Sequence, residues 1–248
     1  MINIYPLTNI YEKPLNSSKL SSQMVYGEKF SIIKKSRNWL KIKTSFDDYI
    51  GYIKNKKFSN KLSCNYKVFK LKSKIYKKVG SQFKETKKFL YFASKIKVYK
   101  SNKHFVEFEK NKWIKKIDIK KINHYQKKIS KIVKLFLNTR YLWGGKSALG
   151  IDCSALIQIY YQYNNTFFER DTKDQIKSIK KIPKNNLYDK KHLIFWKGHV
   201  AYCLNRKYLI HAYGPKKKVL IMNIKKTIIE IERNSKLKVK GIRKLDVI

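Results

Sequence analysis

The sequence predicts an α+β protein: a cysteine begins a helix that packs on antiparallel strands, and two small β-barrels precede this part. Three observations predict it. The first half carries short alternating strands separated by turn residues, a glycine-rich loop then runs into a cysteine and an apolar helix, and two histidine-bearing strands follow. We divide the chain of 248 residues into segments 1–59, 60–122 and 123–248.

Segment 1–59 reads as a small β-barrel, because its apolar residues alternate in short runs. The strands are predicted at 30–33, 39–43 and 49–53. The turns between and before them are predicted at 27–28, 36–38 and 47–48, where glycine, serine, asparagine and aspartate gather.

Segment 60–122 repeats this pattern more faintly and predicts a second barrel. Its strands are predicted at 67–72, 89–93, 95–99, 105–108 and 113–114, with turns at 80–81 and 100–102. Segment 123–248 opens with a predicted amphipathic helix over 124–138, and we interpret its basic face as a solvated surface. The residues predicted on its apolar face are Ile129, Ile132, Val133, Phe136 and Leu137.

The loop at 141–152 leads directly into Cys153, and apolar residues at helical spacing follow. Cys153 therefore stands where unpaired backbone N–H groups and the positive end of the helix dipole favour a thiolate. A thiolate needs a proton acceptor, and His199 and His211 lie on two predicted strands joined by a turn at 205–207. Cysteine, histidine on a strand and a second polar residue on the next strand is the order of a papain-like nucleophile, base and orienter.

Each of these residues alone is more often part of a core than of an active site. Their order, together with Gly144-Gly145 before the cysteine and Gly198 beside the base, favours catalysis. A zinc site is disfavoured because the close cysteine or histidine pairs of structural zinc sites are missing. The sequence therefore predicts neither a metal nor a cofactor.

The chain is strongly basic, with 59 Lys and Arg against 16 Asp and Glu, a net charge of +43 and a pI near 10.1. The lysines are spread from end to end, so we expect only weak, non-specific nucleic-acid binding. Compositional drift is our first explanation, and steering of acidic substrates is the second. Three unpaired cysteines, no signal-like N-terminus and no apolar run long enough for a membrane lead us to expect a cytoplasmic protein. The sequence leaves the oligomeric state open.

Residues 138–248 resemble the NlpC family of papain-like cysteine peptidases, which cut the peptide stems of bacterial cell wall. The resemblance implies that Cys153 is the nucleophile, His199 the base and His211 the orienter. The chain departs from the family pattern at Ala155, where glycine is usual, and at Lys191-His192, where Gly-Asp is usual. The segments that carry the resemblance are 141–145, 152–154, 170–175, 195–200 and 211–212.

The resemblance also implies the substrate-binding residues. These are Asp152, Ser154, Thr172 and Trp143 along the groove, and the hydroxyl of Tyr141 or Tyr49 is a candidate oxyanion donor.

The first segment resembles a bacterial SH3-like domain. Two such barrels before an NlpC domain resemble the γ-D-glutamyl-L-diamino-acid endopeptidases, in which a barrel tyrosine reaches the site. Tyr49 matches that tyrosine, and an ordinary barrel aromatic is an equal alternative. The resemblance implies hydrolysis of the γ-D-glutamyl–diaminopimelate bond in cell-wall fragments with a free N-terminal L-Ala, in peptidoglycan recycling.

Two alternatives stay open. One is a D,L-endopeptidase that acts on intact cell wall outside the cytoplasm. The other is a catalytically weak protein that binds cell wall or another polyanion.

Overall fold

The computed structural model describes residues 1–182 and 188–245. Its internal contacts divide these residues into two units. The first holds residues 1–125 together with 162–165, and the second holds 126–161 and the described residues from 166 onward. The predicted boundary at residue 60 falls inside the first unit, where two separate apolar clusters lie.

The first unit begins with an antiparallel sheet in the order β2-β1-β5-β4-β3. Leu40 and Ile42 on β4 are buried, as the alternation predicted, and Ile53 on β5 joins them in one apolar cluster. The three predicted strands are confirmed to within a residue or two, whereas β1 and β2 were missed. The strands are β1 (Leu7–Tyr11), β2 (Leu20–Val25), β3 (Phe30–Lys35), β4 (Trp39–Thr44) and β5 (Ile50–Lys54).

Residues 66–121 form a five-stranded sheet, β10-β11-β12-β7-β8, and a three-stranded sheet, β13-β6-β9. The turn predicted at 80–81 joins the longest hairpin, in which Gly80 has a φ of +59°. The predicted strand at 67–72 is wrong, because the chain leaves one sheet after residue 68 and enters the other at residue 72. The strands are β6 (Tyr66–Val68), β7 (Lys72–Val79), β8 (Gln82–Tyr91), β9 (Lys95–Ile96), β10 (Lys100–Ser101), β11 (Phe105–Glu109), β12 (Lys112–Lys115) and β13 (Ile119–Lys121).

The second unit opens with α1 (Ile129–Leu135), which is shorter than the helix predicted over 124–138. It ends at Leu135 with Phe136 as its C-cap, and the chain then turns away at Asn138, whose φ of +65° is left-handed and whose N–H bonds the Val219 carbonyl. The predicted apolar face is buried except at Leu137, which lies beyond the helix and is 41% exposed.

The second unit is built on an antiparallel sheet in the order β19-β18-β17-β16-β20, and a short hairpin, β14-β15, precedes α2. The predicted strands around both histidines and the turn between them are confirmed. Asn223 caps α4 by accepting from the Lys226 N–H at 3.1 Å. The elements are β14 (Lys146–Ser147), β15 (Gly150–Ile151), α2 (Cys153–Tyr163), α3 (Thr172–Ser178), β16 (His192–Trp196), β17 (His199–Cys203), β18 (Tyr208–Tyr213), β19 (Lys218–Asn223), α4 (Ile224–Ser235) and β20 (Gly241–Lys244).

Among the described residues, none of the helices combines the length and the apolar character that a bilayer crossing needs.

Candidate active site

Cys153 is the first residue of α2, and a tight glycine loop delivers it there. Gly145 passes so close to the Gly150 carbonyl that a Cβ on Gly145 would lie 2.5 Å from that oxygen. Only glycine allows this approach of two backbone segments. The loop thereby fixes where α2 begins and where the Cys153 side chain, which is 4% exposed, emerges.

Asp152 caps α2, and both of its carboxylate oxygens accept hydrogen bonds. Its Oδ1 accepts from the Ala155 N–H at 2.8 Å and from the Ser154 hydroxyl at 3.1 Å, and its Oδ2 accepts from the Gly144 N–H at 3.0 Å. Arg170 donates to both oxygens, at 3.1 and 2.6 Å, and its Nη1 also donates to the Ser154 hydroxyl at 2.8 Å. The carboxylate thus already accepts five hydrogen bonds, and its predicted role as a substrate ligand stays a prediction.

Arg170 is a residue of the site to which the sequence alone assigned no role. It stood inside a matched segment but received no role, because an isolated arginine 18 positions from Asp152 carries no periodic signal. Its side chain is 2% exposed, so the ion pair with Asp152 is buried. Gln175 adds a second brace, since its amide donates to the carbonyls of Ser154 and Glu169 at 3.1 and 2.9 Å.

Ser154 is buried like Asp152, whereas the other predicted groove residues are more accessible. Trp143 is 59% exposed on the loop, and Thr172 is half-buried at the start of α3. Tyr141 is half-buried, and burial together with the charges of Cys153 and Asp152 raises its pKa.

Tyr49 lies in the first unit, between β4 and β5. Its N–H donates to the Thr44 hydroxyl at 2.9 Å, and its partly buried ring packs on the apolar cluster of the first sheet. The predicted role of Tyr49 at the substrate stays a prediction.

His199 begins β17, and His211 lies on β18. The pairing of Tyr202 with Ile210, continued along the strands, places both histidines on one face of the sheet. His199 Nε2 lies 2.9 Å from His211 Nδ1. This contact leaves Nδ1 of His199 as the ring nitrogen that can take a proton from a nucleophile.

Cys153 meets β17 at the residue before His199. Its Sγ lies 3.8 Å from the Gly198 carbonyl oxygen, and the Val200 and Ser154 backbone groups also interact with the sulfur. The structure therefore brings the Cys153 sulfur to Gly198, the residue before His199, and links His199 to His211.

Burial outweighs the expected lowering of the thiol pKa by the helix start. Burial and the negative charge of Asp152 raise the pKa of Cys153 to about 12. Burial lowers the pKa of His199 to about 4, and burial and the charge of His199 lower that of His211 well below its usual range. At neutral pH, burial therefore favours the uncharged forms of the Cys153 thiol and of the His199 imidazole.

Among residues 1–182 and 188–245, no group of three His, Cys, Asp or Glu side chains is arranged to hold a metal ion. The two other cysteines, Cys64 and Cys203, are free thiols.

A buried thiol at a helix start, in contact with the residue before a histidine that is paired with a second histidine, has the residue types and order of a cysteine peptidase. Residues 138–235 match the model of the NlpC/P60 family, and residues 10–58 match that of the bacterial dipeptidyl-peptidase SH3 domain. The chain carries an NlpC/P60 domain, whose family consists of cysteine peptidases, behind an N-terminal SH3 domain.

Two curated relatives share parts of the chain. It is 40% identical over 78 residues to dipeptidyl-peptidase 6 of Lysinibacillus sphaericus, covering 31% of this chain and 28% of that protein. It is 32% identical over 104 residues to the γ-D-glutamyl-L-lysine dipeptidyl-peptidase of Bacillus subtilis (strain 168), covering 39% and 35%. The chain thus spans much less than half the length of these relatives.

A solved structure extends the likeness of fold to nearly the whole chain. The NlpC/P60 family protein of Bacillus cereus ATCC 10987 aligns over 98% of both chains with a TM-score of 0.80. The two sequences are 17% identical, so this likeness shows the fold alone.

Proposed function

We propose that this chain is a cysteine peptidase that hydrolyses the γ-D-glutamyl–diamino acid bond of cell-wall-derived peptides with a free N-terminal L-Ala. Two contacts carry the proposal: the Cys153 sulfur lies against Gly198 just before β17, and His199, the next residue, is paired with His211. The named activity of the Bacillus subtilis relative, on a γ-D-glutamyl-L-lysine bond, supports the choice of bond.

Acylation begins from the uncharged pair. Cys153 Sγ attacks the carbonyl carbon of the γ-D-glutamyl amide while its proton passes to His199 Nδ1. The Cys153 backbone N–H and the hydroxyl of Tyr141 stabilise the oxyanion that develops. The C–N bond then breaks, His199 gives its proton to the leaving amine, and the γ-D-glutamyl acyl group stays on sulfur as a thioester.

Deacylation returns the enzyme to its starting state. Water attacks the thioester carbonyl while His199 takes a proton from it. The C–S bond breaks, the thiolate recovers that proton from His199, and the product leaves with a free γ-carboxylate. His211 transfers no proton in either half and keeps the His199 ring in place.

The remaining site residues have distinct proposed roles. Trp143 supplies an exposed apolar wall of the groove, and Thr172 supplies a hydroxyl for the peptide. The buried Ser154 hydroxyl, which bonds Asp152 and Arg170, contributes to the groove by holding these two residues in place. Asp152 holds the cysteine loop and attracts the substrate ammonium through its negative charge. Arg170 offsets that charge, so the attraction is weaker than an isolated carboxylate would give.

The proposal extends to the finer architecture. Residues 1–59 and 60–122 are two SH3-like barrels, and 123–248 is a papain-like domain with its cysteine helix on an antiparallel sheet. Two apolar clusters support this division: one around Ile42 lies within the first segment, and one around Ile114 lies mainly in the second segment, with Tyr26 added from the first. The proposed substrates are soluble wall fragments, and the proposed place of action is the cytoplasm.

Defined peptides test the reaction, the bond and the N-terminal requirement together. We expect L-Ala-γ-D-Glu-diaminopimelate to give L-Ala-γ-D-Glu and free diaminopimelate by mass spectrometry. N-acetylation of the alanine is expected to lower kcat/KM at least about 10-fold, because it removes the ammonium and leaves its partners unpaired. Insoluble cell wall is expected to stay uncut.

Matched variants assign the nucleophile. Cys153→Ala is expected to abolish cleavage and keep the fold, whereas Cys64→Ala, at a half-buried cysteine of the first unit, is expected to keep wild-type cleavage. Tyr49→Phe removes the Tyr49 hydroxyl and so tests its predicted role as an oxyanion donor. Cleavage of intact wall in preference to the tripeptide would support the extracellular alternative, and wall binding without any cleavage would support the binding protein.

A further inference from the structure

Both ring nitrogens of His211 are engaged by side chains. Its Nδ1 lies 2.9 Å from His199 Nε2, and its Nε2 lies 3.3 Å from Met222 Sδ. Tyr213 stacks on the ring with a centroid separation of 4.7 Å and an interplanar angle of 13°. The side chain is fully buried. Two neighbours therefore decide which nitrogen of His211 carries the proton.

The strand register places the Met222 sulfur next to the His211 ring. Met222 on β19 pairs with Leu209, and His211 pairs with Leu220. Met222 is thus the diagonal neighbour of His211 on the same face of the sheet, a position from which a long, flexible side chain reaches its partner.

The chemistry of the thioether restricts the tautomer. Methionine sulfur accepts a weak hydrogen bond and has no proton to donate. The contact is therefore favourable when His211 carries its proton on Nε2. Nδ1 of His211 is then an acceptor, and His199 donates its Nε2 proton to it. In that tautomer His199 Nδ1 is unprotonated, which is the state that can accept the proton of Cys153.

The opposite arrangement disables the base. If His211 carries its proton on Nδ1, it donates to His199 Nε2. A neutral His199 then holds its own proton on Nδ1, the nitrogen that must receive the thiol proton. The dyad has two hydrogen-bonded arrangements, and the sulfur at the far end favours the active one.

We propose that Met222 is a positioning residue for the proposed hydrolysis: its thioether, acting through His211, holds His199 in the tautomer that accepts a proton at Nδ1. The inference rests on the proposed function for its kinetic consequence. Its structural part concerns the two histidine tautomers and is measurable without substrate.

The variant Met222→Leu keeps an apolar side chain of similar volume and removes the acceptor. We expect kcat to fall about 10-fold, because the buried N–H donor loses its partner and the preference between the two tautomers reverses in favour of the inactive one. KM is expected to change less than about 2-fold, since the proposed role of Met222 acts through His211 and involves no contact with substrate. Met222→Gln, whose amide oxygen accepts from His211 Nε2, is expected to restore kcat to within about 3-fold of wild type.

The matched control is Met24→Leu, the same exchange at a buried methionine of the first unit. It is expected to leave kcat and the tautomers unchanged. Nitrogen-15 NMR of histidine-labelled full chain should show His199 and His211 protonated on Nε2 in the wild type, and a population protonated on Nδ1 in Met222→Leu.

The proposal is overturned if wild-type His199 carries its proton on Nδ1, or if Met222→Leu changes neither the tautomers nor kcat. It is also overturned if kcat falls while the tautomers stay unchanged and Gln fails to restore it, because the loss is then one of packing. If wild-type enzyme cleaves no wall peptide, the proposed function fails, and the NMR result still supports or overturns the tautomer control.

Discussion

Replacing Arg170 by methionine should destabilise the second unit strongly. The substitution removes the buried charge that donates to both oxygens of Asp152, at 2.6 and 3.1 Å, and to the Ser154 hydroxyl at 2.8 Å. Asp152 would stay in place with three backbone and hydroxyl donors and no countercharge. Breaking a buried pair by removing one partner costs about 3–5 kcal/mol.

Because both side chains are buried, we expect the cost of a broken buried pair rather than the smaller cost of an exposed one. Arg170 is 2% exposed and Asp152 is 9% exposed, so solvent screens the lost interaction little. An exposed pair serves as the matched control. Arg206 is 74% exposed and lies 3.9 Å from Asp189, so Arg206→Met is expected to cost less than about 1 kcal/mol.

A buried thiol of the same unit provides the assay. Cys203 is fully buried, so a thiol reagent reacts with it only when the second unit opens. In a Cys64→Ser, Cys153→Ala background, the labelling rate of Cys203 reports the free energy of opening. Arg170→Met is expected to raise that rate about 10²- to 10⁴-fold, since each 1.4 kcal/mol is a factor of about ten.

A double-mutant cycle separates the pair from the packing around it. In Asp152→Asn, the amide oxygen still caps α2 but the charge is gone. Adding Arg170→Met to this variant should cost at least about 1 kcal/mol less than in the wild type. An Arg170→Met cost below 1 kcal/mol, or one unchanged by Asp152→Asn, would refute the view that this ion pair supports the cysteine loop.

Three further predictions concern the histidines and a helix cap. His199→Ala should lower kcat by about 10²- to 10⁴-fold, as loss of a general base does, and His211→Ala should cost less; equal losses in steady-state kinetics would mean the two roles are misassigned. The pKa of His199 is lowered to about 4, so between pH 4 and 6.5 the unfolded chain binds more protons than the folded chain. The free energy of unfolding should therefore fall as the pH decreases through this window, by at most about 3 kcal/mol for this group. Urea unfolding of His199→Gln should show a shallower fall, and an identical pH dependence would contradict the assigned pKa. Asn223→Ala should cost about 1 kcal/mol of unfolding free energy by removing the cap of α4, and Cys203 labelling at an unchanged rate would argue against it.

The candidate site was accessible from sequence because its chemistry is local. A glycine loop before Cys153 and two strands joined by a short turn are patterns of neighbouring residues, and the structure confirms those elements. The fold of residues 138–235 and 10–58 could be assigned for the same reason, since motifs at fixed spacing carried both resemblances.

Other parts escaped because lysines and long-range contacts decide them. Strands β7 and β8 carry many exposed lysines, so only part of each strand alternates, and of this hairpin only the turn and the end of β8 within the predicted strand 89–93 were recognised. The helix predicted from residue 124 begins only at Ile129, because an apolar pattern does not show where backbone hydrogen bonding starts.

The supports of the catalytic residues were equally invisible. Arg170 pairs with Asp152, and Met222 contacts His211, through side chains that the fold brings together. The residue type alone predicts neither role, since a lone arginine is usually solvated and a methionine on a strand is usually a core residue. Burial likewise reversed the expected direction of the Cys153 pKa.

The nucleophile can be identified by acid-quenched intact-protein mass spectrometry during turnover of L-Ala-γ-D-Glu-diaminopimelate. We expect a covalent L-Ala-γ-D-glutamyl adduct that maps to Cys153, and neither adduct nor product with Cys153→Ala. Undiminished product formation by Cys153→Ala, or an adduct on any other residue, would contradict this assignment.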